Sequence, residues 1–261
     1  MQLISYNING IRAAIRNGLI DWLSTQQFDI LCFQEVKATH DVVDLKPFEE
    51  LGYQYHWHAA EKKGYSGVAT FSKQVPTNTV SGCGLRVYDC EGRILRTDFD
   101  DLTVLNCYFP SGTTGELRQG VKMEFLRDFF NYVAELRKTR PKVIVVGDYN
   151  IAHNAIDIHD PVRNKHTTGF LPEERAWMDQ WFASGMTDAF RYKHPDDVAY
   201  SWWSYRAGAR SGNKGWRIDY ASVTDNLRDQ IIDCQMLPDA VHADHCPVHL
   251  TMSNSKERKS E

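Results

Sequence analysis

The stretch VIVVGDYN, residues 143–150, decides the fold. Four β-branched apolar residues stand in a row and stop at Gly147, Asp148, Tyr149 and Asn150. An apolar run without alternation reads as a strand buried on both faces. Its C-terminal end then delivers a carboxylate and a carboxamide two residues apart. If extended geometry continues through 148 and 150, both side chains point the same way. Gly-Asp-x-Asn is also good turn chemistry. The segment alone leaves turn and site both open.

Outward from this stretch, strand-like runs recur at 3–8, 29–33, 68–71, 94–99, 102–109, 200–205, 218–223 and 248–252. Asp100-Asp101 separates two of them as a tight antiparallel turn would. Between the runs, 116–138 places Val121, Phe125, Phe129, Val133 and Leu136 at helical spacing, with Leu126 beside them. LPEERAWMDQWF offers a second helix, with Pro172 in its first turn, Glu173 and Glu174 near its N-terminus, and Trp177 and Trp181 one turn apart. Hairpin-linked and helix-linked strands together predict an α/β fold. The economical layout is a four-layered α/β sandwich, two mixed β-sheets packed face to face and flanked by helices. A single mixed sheet remains open from sequence.

The chain has 261 residues, 42% of them hydrophobic and 25% charged, enough for a substantial core. No repeat or long linker divides it. We expect one catalytic domain over 1–252 and a polar tail, SNSKERKSE, over 253–261. The six cysteines form no CxxC pair, which points to a reducing, cytoplasmic setting. No secretory signal or membrane-length apolar stretch occurs in the sequence. The net charge of −4 excludes nucleic-acid binding through bulk charge. Any such attraction must be local or be supplied in part by a cation.

Polar residues recur near the ends of the apolar runs. Asn7 ends the first, Gln34-Glu35 follow the second, and Tyr108 lies near the end of 102–109. Asp219 follows Ile218, and Asp244-His245 precede the last run. Each alone is an ordinary structural polar residue. Together their donor set is dominated by oxygen and contains no Cys, which suits a hard cation such as Mg²⁺. Zinc fits less well, because no HExxH motif or Cys/His spacing appears.

In order along the chain, SYNINGIRA, LCFQEVKA, NCYFPSG, VVGDYNIAH, GWRIDY and ADHCPV resemble the signature blocks of the exonuclease III family of abasic-site endonucleases. That family lies within the endonuclease/exonuclease/phosphatase fold of DNase I-like nucleases, and the blocks span essentially the full chain. The resemblance implies Mg²⁺, replaceable by Mn²⁺, held by a set drawn from Asn7, Glu35, Asp148, Asn150, Asp244 and His245. Asp148 is then expected to orient or deprotonate the attacking water, and Asn150 to contact transition-state oxygens. Tyr108 is expected near the scissile phosphate, with His245 contacting the phosphate and oriented by Asp219.

Residues 200–217 contain Arg206, Arg210, Lys214 and Arg217 and no acid, with Trp202, Trp203, Tyr205 and Trp216 interleaved. Basic residues can meet phosphates while aromatics meet an unstacked sugar or base. An edge strand with a solvated loop is the other reading of this segment. The resemblance implies that Trp202, Trp216 and Ile218 wall a pocket for a flipped abasic sugar. Arg163, Asn164 and Lys165 form a second candidate backbone-binding loop. Against the human relative, departures fall at Asn9 (an Asp there), Thr114 (a DNA-inserting Arg there) and Ser111 (usually a longer amide). The function implied is hydrolysis 5′ to abasic sites in double-stranded DNA, with 3′→5′ exonuclease and trimming of blocked 3′ ends, by a monomer. A same-fold phosphodiesterase acting on a non-DNA substrate and a non-catalytic DNA-damage binding module remain open.

Overall fold

A computed structural model describes residues 1–206 and 208–253. Beyond Ser253, the expected polar tail lies outside the described residues. The strands are β1 (Gln2–Asn7), β2 (Ile30–Gln34), β3 (Gln54–His58), β4 (Val68–Ser72), β5 (Asn78–Ser81) and β6 (Ile94–Phe99). They continue with β7 (Leu102–Tyr108), β8 (Lys142–Asp148), β9 (Met186–Asp188), β10 (Asp219–Thr224), β11 (Ile231–Met236) and β12 (Val248–Met252). The helices are α1 (Ile11–Arg16), α2 (Leu19–Ser24), α3 (Lys46–Glu50), α4 (Arg86–Asp89), α5 (Glu116–Leu136), α6 (Pro161–Asn164), α7 (Pro172–Ala183) and α8 (Ala189–Lys193).

Two six-stranded sheets form, in the orders β11-β12-β1-β2-β4-β3 and β5-β6-β7-β8-β10-β9. Each is mixed, with one central parallel pair, β1–β2 in the first and β7–β8 in the second. The remaining ladders are antiparallel. The apolar run of β8 serves two cores at once. Ile144 and Val146 point between the sheets, where they meet Leu3, Ile30 and Cys32. Val143 and Val145 point outward to Phe125, Phe129 and Val133 of α5 and Trp177 and Trp181 of α7. On the other side, α1, α2 and α3 cover Ile4, Tyr6, Leu31 and Phe33. The result is the four-layered sandwich, and the period-two alternation explains why no polar residue is tolerated in 143–146.

Trp177 and Trp181 stack one turn apart at 5.5 Å. Their indole N–H groups donate to the Leu126 carbonyl and to Ser222 Oγ, so the buried rings leave no orphan donor. A polar pin joins the sheets near their shared end. Gln34 Nε2 donates to Asn106 Oδ1 at 2.7 Å, and Asn106 Nδ2 donates to the Ala69 carbonyl at 2.9 Å. It fixes the end of β2 against β7.

Two expectations need correction. Residues 200–205 are not a strand: their ladder contacts are the isolated bridges of Trp202 with Trp216 and with His245. The alternating aromatics there mark a folded loop. Residue 121 is not the buried member of its turn in α5; Lys122 is, at 0% exposure. The strands β3, β5, β9 and β11 lack a sequence signal for physical reasons. β5 is an exposed edge, β9 has three residues, β3 is half-buried throughout, and β11 carries an irregularity between Ile231 and Asp233.

Candidate active site

The ends of both parallel pairs open at the same end of the sandwich. β1 and β2 bring Asn7 and Glu35 there, and β7 and β8 bring Tyr108 and Asp148. Asn7 Nδ2 bridges the two sheets by donating to Glu35 Oε1 and Asp148 Oδ2, each at 2.9 Å. The Asn9 N–H donates to Asn7 Oδ1 at 3.0 Å, which sets the orientation of the carboxamide.

Asp148 is the last residue of β8 and sits opposite Asp219 in the antiparallel ladder with β10. Gly147 has φ +144°, and a Cβ there would stand 1.8 Å from the Cys107 carbonyl oxygen. Only glycine lets β8 approach β7 at the residue that precedes the carboxylate. The chain then turns, with Asn150 at φ +54°. Its N–H donates to Asp148 Oδ1 at 2.8 Å, and its Nδ2 donates to Asp148 Oδ2 at 3.2 Å and to the Phe109 carbonyl at 3.0 Å. The turn reading of GDYN holds, and the turn itself brings the carboxylate and the carboxamide together. The side chains converge through a left-handed turn, not through continued strand alternation.

His245 lies between two carboxylates. Its Nδ1 is 2.8 Å from Asp219 Oδ2 and its Nε2 is 3.9 Å from Asp148 Oδ2. Asp219 Oδ2 also accepts from Ser201 Oγ at 2.6 Å, while its Oδ1 is buried without a hydrogen-bond partner. Glu35, Asp148 and His245 each offer a ligand atom within 4.8 Å of the others. Three carboxylates thus crowd one end of the sandwich, and burial makes their mutual repulsion costly. Burial, then Asp219 and Glu35, push the Asp148 carboxyl up to about 7, against His245 and the Asn150 N–H. Burial favours a neutral His245, yet Asp219, Asp148 and Asp244 outweigh it and raise the imidazole to about 10. Burial and the Glu35 and Asp148 charges raise Tyr108 well above the ordinary phenol value, against Arg93. Burial works to raise Glu35 as well, but Lys37 and Asn7 hold it below the usual carboxylate value. An oxygen-rich cluster with this excess of negative charge fits a cation.

Not every expected residue joins the cluster. Asp244 stands outside it. Its Oδ1 accepts from Asn9 Nδ2 at 2.9 Å and its Oδ2 from Trp202 Nε1 at 3.1 Å, so it ties the β1 loop to the Trp202 loop. Arg217 is 0% exposed and cannot reach DNA. Its Nε donates to Asp157 Oδ1 at 2.8 Å, and its Nη1 lies 2.8 Å from Asp188 Oδ2. Arg210 is half-buried, and its guanidinium donates to the carbonyls of Ala243, His245, Pro238 and Ala240 while lying over Trp203. It staples the loop before β12. Trp202, Trp216 and Ile218 do come together, with Ala152, Ile158 and Phe170, as an apolar cluster. Trp202 also faces the His245 ring at 6.5 Å. Tyr205, Arg206, Arg163 and Lys165 are exposed.

Sequence reasoning missed several residues. Lys37 pairs with Glu35 at 2.8 Å and also bonds Asn9 Oδ1. Its place two residues after Glu35 was the available signal. The Arg93 guanidinium lies 4.9 Å from the Tyr108 ring centroid and donates to the Tyr108 carbonyl, with no sequence signal to mark it. Lys37 also lines a cavity of about 490 Å³, together with Arg12, Lys62, Lys63 and the acids Asp41 and Glu61.

Residues 4–241 match the Endonuclease/Exonuclease/phosphatase family. The chain is 41% identical over 255 residues to an exodeoxyribonuclease of Bacillus subtilis, covering 97% of this chain and all of that protein. It is 35% identical to the DNA repair nuclease APEX1 of Danio rerio, covering 97% of this chain and 82% of that protein. Its fold superposes on an AP endonuclease from Archaeoglobus fulgidus with a TM-score of 0.89 at 27% identity, covering 97% of this chain and 100% of that one.

Proposed function

The chain belongs to the endonuclease/exonuclease/phosphatase family, in its exonuclease III branch, and from that premise we propose a DNA-repair nuclease that cleaves 5′ to abasic sites. It hydrolyses the phosphodiester to leave a 3′-hydroxyl and a 5′-deoxyribose phosphate, and it trims blocked 3′ ends as a 3′→5′ exonuclease. Its substrate is double-stranded DNA, its ion is Mg²⁺ with Mn²⁺ as substitute, and it acts as a cytoplasmic monomer. No helix among the described residues is long and apolar enough to cross a membrane, and the six cysteines are free. The observation that carries the reading is the convergence of Glu35, Asp148 and His245 within 4.8 Å, beside the Trp202–Trp216 cluster.

Glu35, with Asp148 and the Asn7 carboxamide beside it, would hold the cation. When bound, the cation supplies Lewis-acid stabilisation of charge on the phosphate oxygens. The protein's own residues supply the rest. Asp148, fixed opposite Asp219 and anchored by the Asn150 N–H, is placed to orient the attacking water and take its proton. His245 stays protonated at neutral pH because Asp219 accepts from its Nδ1, which leaves the Nε2 proton for a phosphate oxygen. Tyr108 keeps its phenolic proton for the same reason that its pKa rises, and serves as a second donor. Asn150 is locked to Asp148 and adds a third polar group fixed before reaction. The apolar cluster of Trp202, Trp216 and Ile218 suits a baseless sugar, which is cheap to extrude because it neither stacks nor pairs well.

The test is a duplex with one abasic analogue, incubated with Mg²⁺ or with EDTA, for wild type and Asp148→Ala. Cutting by the wild type with metal only is expected. Equal turnover of the duplex and a simple phosphodiester would argue for a different substrate. Tight binding without cutting would argue for a damage-recognition module.

A further inference from the structure

α5 and α7 meet at an ion pair from which water is excluded. Lys122 Nζ lies 2.5 Å from Glu174 Oε1, and both side chains are 0% exposed. Oε1 also accepts from Gln119 Nε2 at 3.1 Å and Thr168 Oγ1 at 3.3 Å. Oε2 accepts from the N–H groups of Gly169 at 2.6 Å and Leu171 at 2.9 Å. Lys122 spends a second proton on the carbonyl of Asn150, at 2.8 Å.

Those bonds end at two segments that matter to the site. Asn150 holds φ +54°, a left-handed conformation open to asparagine more than to most residues, and the Lys122 bond fixes the direction of its carbonyl. The turn through Gly169 backs the apolar cluster: a Cβ on Gly169 would meet the Trp216 ring at 3.0 Å and the Asn150 carbonyl at 3.1 Å. The Ala152 N–H donates to the Gly169 carbonyl at 2.7 Å and closes the circuit. An apolar pair would fill the space between α5 and α7 without the cost of desolvating two charges. An apolar pair would not hold either segment.

We propose that Lys122 and Glu174 are positioning residues: the ion pair clamps the Asn150 peptide in its left-handed turn and couples it to the wall formed by Trp216. This rests on the nuclease reading of Asn150. Neither side chain touches substrate. Their effect reaches the reaction through the direction of the Asn150 carboxamide, and small misplacements of such a group cost about 10²-fold in rate.

The experiment is a double-mutant cycle on the single-turnover cleavage rate of an abasic duplex in Mg²⁺. Lys122→Met is combined with Asn150→Gly, which removes the carboxamide yet tolerates positive φ. Lys122→Met alone should slow cleavage about 10- to 100-fold, with duplex affinity in EDTA changed less than about threefold. In the Asn150→Gly background the same substitution should cost less than about threefold, because the group it positions is gone. Equal losses in both backgrounds, or no loss in the first, would overturn the proposal. Should Lys122→Met fail to fold, Glu174→Gln enters the same cycle with the same two outcomes, since a carboxamide cannot accept at both ends. Failure of the underlying reading looks different: the wild type itself would leave the duplex uncut.

Discussion

Replacing Arg217 with Met separates a structural arginine from a DNA-binding one. In the sequence, Arg217 counts toward a basic segment. In the structure its Nε donates to Asp157 and its Nη1 faces Asp188, with the guanidinium 4.5 Å from the Tyr220 centroid and 5.3 Å from that of Phe190. Methionine replaces the aliphatic volume but none of the charge. Asp157 then keeps Arg191, at 2.6 Å, and the Asn154 N–H, at 2.9 Å, while Asp188 loses its guanidinium. Breaking a buried pair from one side costs about 3–5 kcal/mol. At roughly 2–4 °C per kcal/mol for a domain of this size, the melting temperature should fall by roughly 6–20 °C. The sign with pH follows from Asp157. Burial works to raise its pKa, but Arg217, the Asn154 N–H and Arg191 hold it below the usual value. A depressed folded pKa contributes stability above the unfolded value of about 3.9, lost only as pH falls further. Asp157 is ionised in both states well above that value, so the deficit should be full at pH 7 and shrink only as pH is lowered toward 3, where protonation removes what Arg217 contributes. The assays are thermal unfolding at both pH values and a salt titration of abasic-duplex affinity below the transition. Each phosphate contact contributes about 0.9 to the salt slope. An unchanged melting temperature with a slope lower by about 1 would refute the structural assignment.

Arg210→Ala should cost about 2 kcal/mol by releasing the carbonyls of Ala243, His245, Pro238 and Ala240, with the salt slope unchanged; a reduced slope with unchanged stability would make it a phosphate contact. Gly147→Ala forces a Cβ to 1.8 Å from the Cys107 carbonyl oxygen and should cost about 3 kcal/mol or more, read as a lower melting temperature or loss of soluble protein. A soluble variant melting with the wild type would contradict that. Metal binding should expel the proton that Asp148 holds with a pKa of about 7. Apparent affinity should therefore weaken about tenfold per pH unit below that value, with proton release visible by calorimetry in buffers of different ionisation heat; constant affinity from pH 5 to 7 would rule it out.

The parts of this molecule legible in its sequence are those whose chemistry is local. The run 143–146 is a strand because consecutive residues must satisfy two different cores. The candidate site residues were visible because each lies at or just beside an end of such a strand, where the backbone itself supplies rigidity. Counter-charges are not local. Arg217 meets Asp157 across 60 residues and Lys122 meets Glu174 across 52, so neither pairing leaves a pattern in a window of sequence. Helical periodicity placed Val121 on the buried face of α5 because it weighs apolar residues alone, whereas the buried residue is a lysine with a partner. The same blindness inflated the basic segment. Of Arg206, Arg210, Lys214 and Arg217, the structure leaves only Arg206 and Lys214 exposed. In a chain of net charge −4, two exposed cations in that loop are a weak hold on a polyanion. The attraction must therefore draw on other charges: the exposed Arg163 and Lys165, the cavity where Arg12, Lys37, Lys62 and Lys63 outnumber Asp41 and Glu61, the His245 imidazole that its carboxylate neighbours raise, and the cation that the carboxylates of Glu35 and Asp148 are arranged to receive. On this reasoning binding and chemistry share the last two of these charges. Chelation should then weaken the grip on DNA as well as stop the cutting, which a module with a separate basic face would not show.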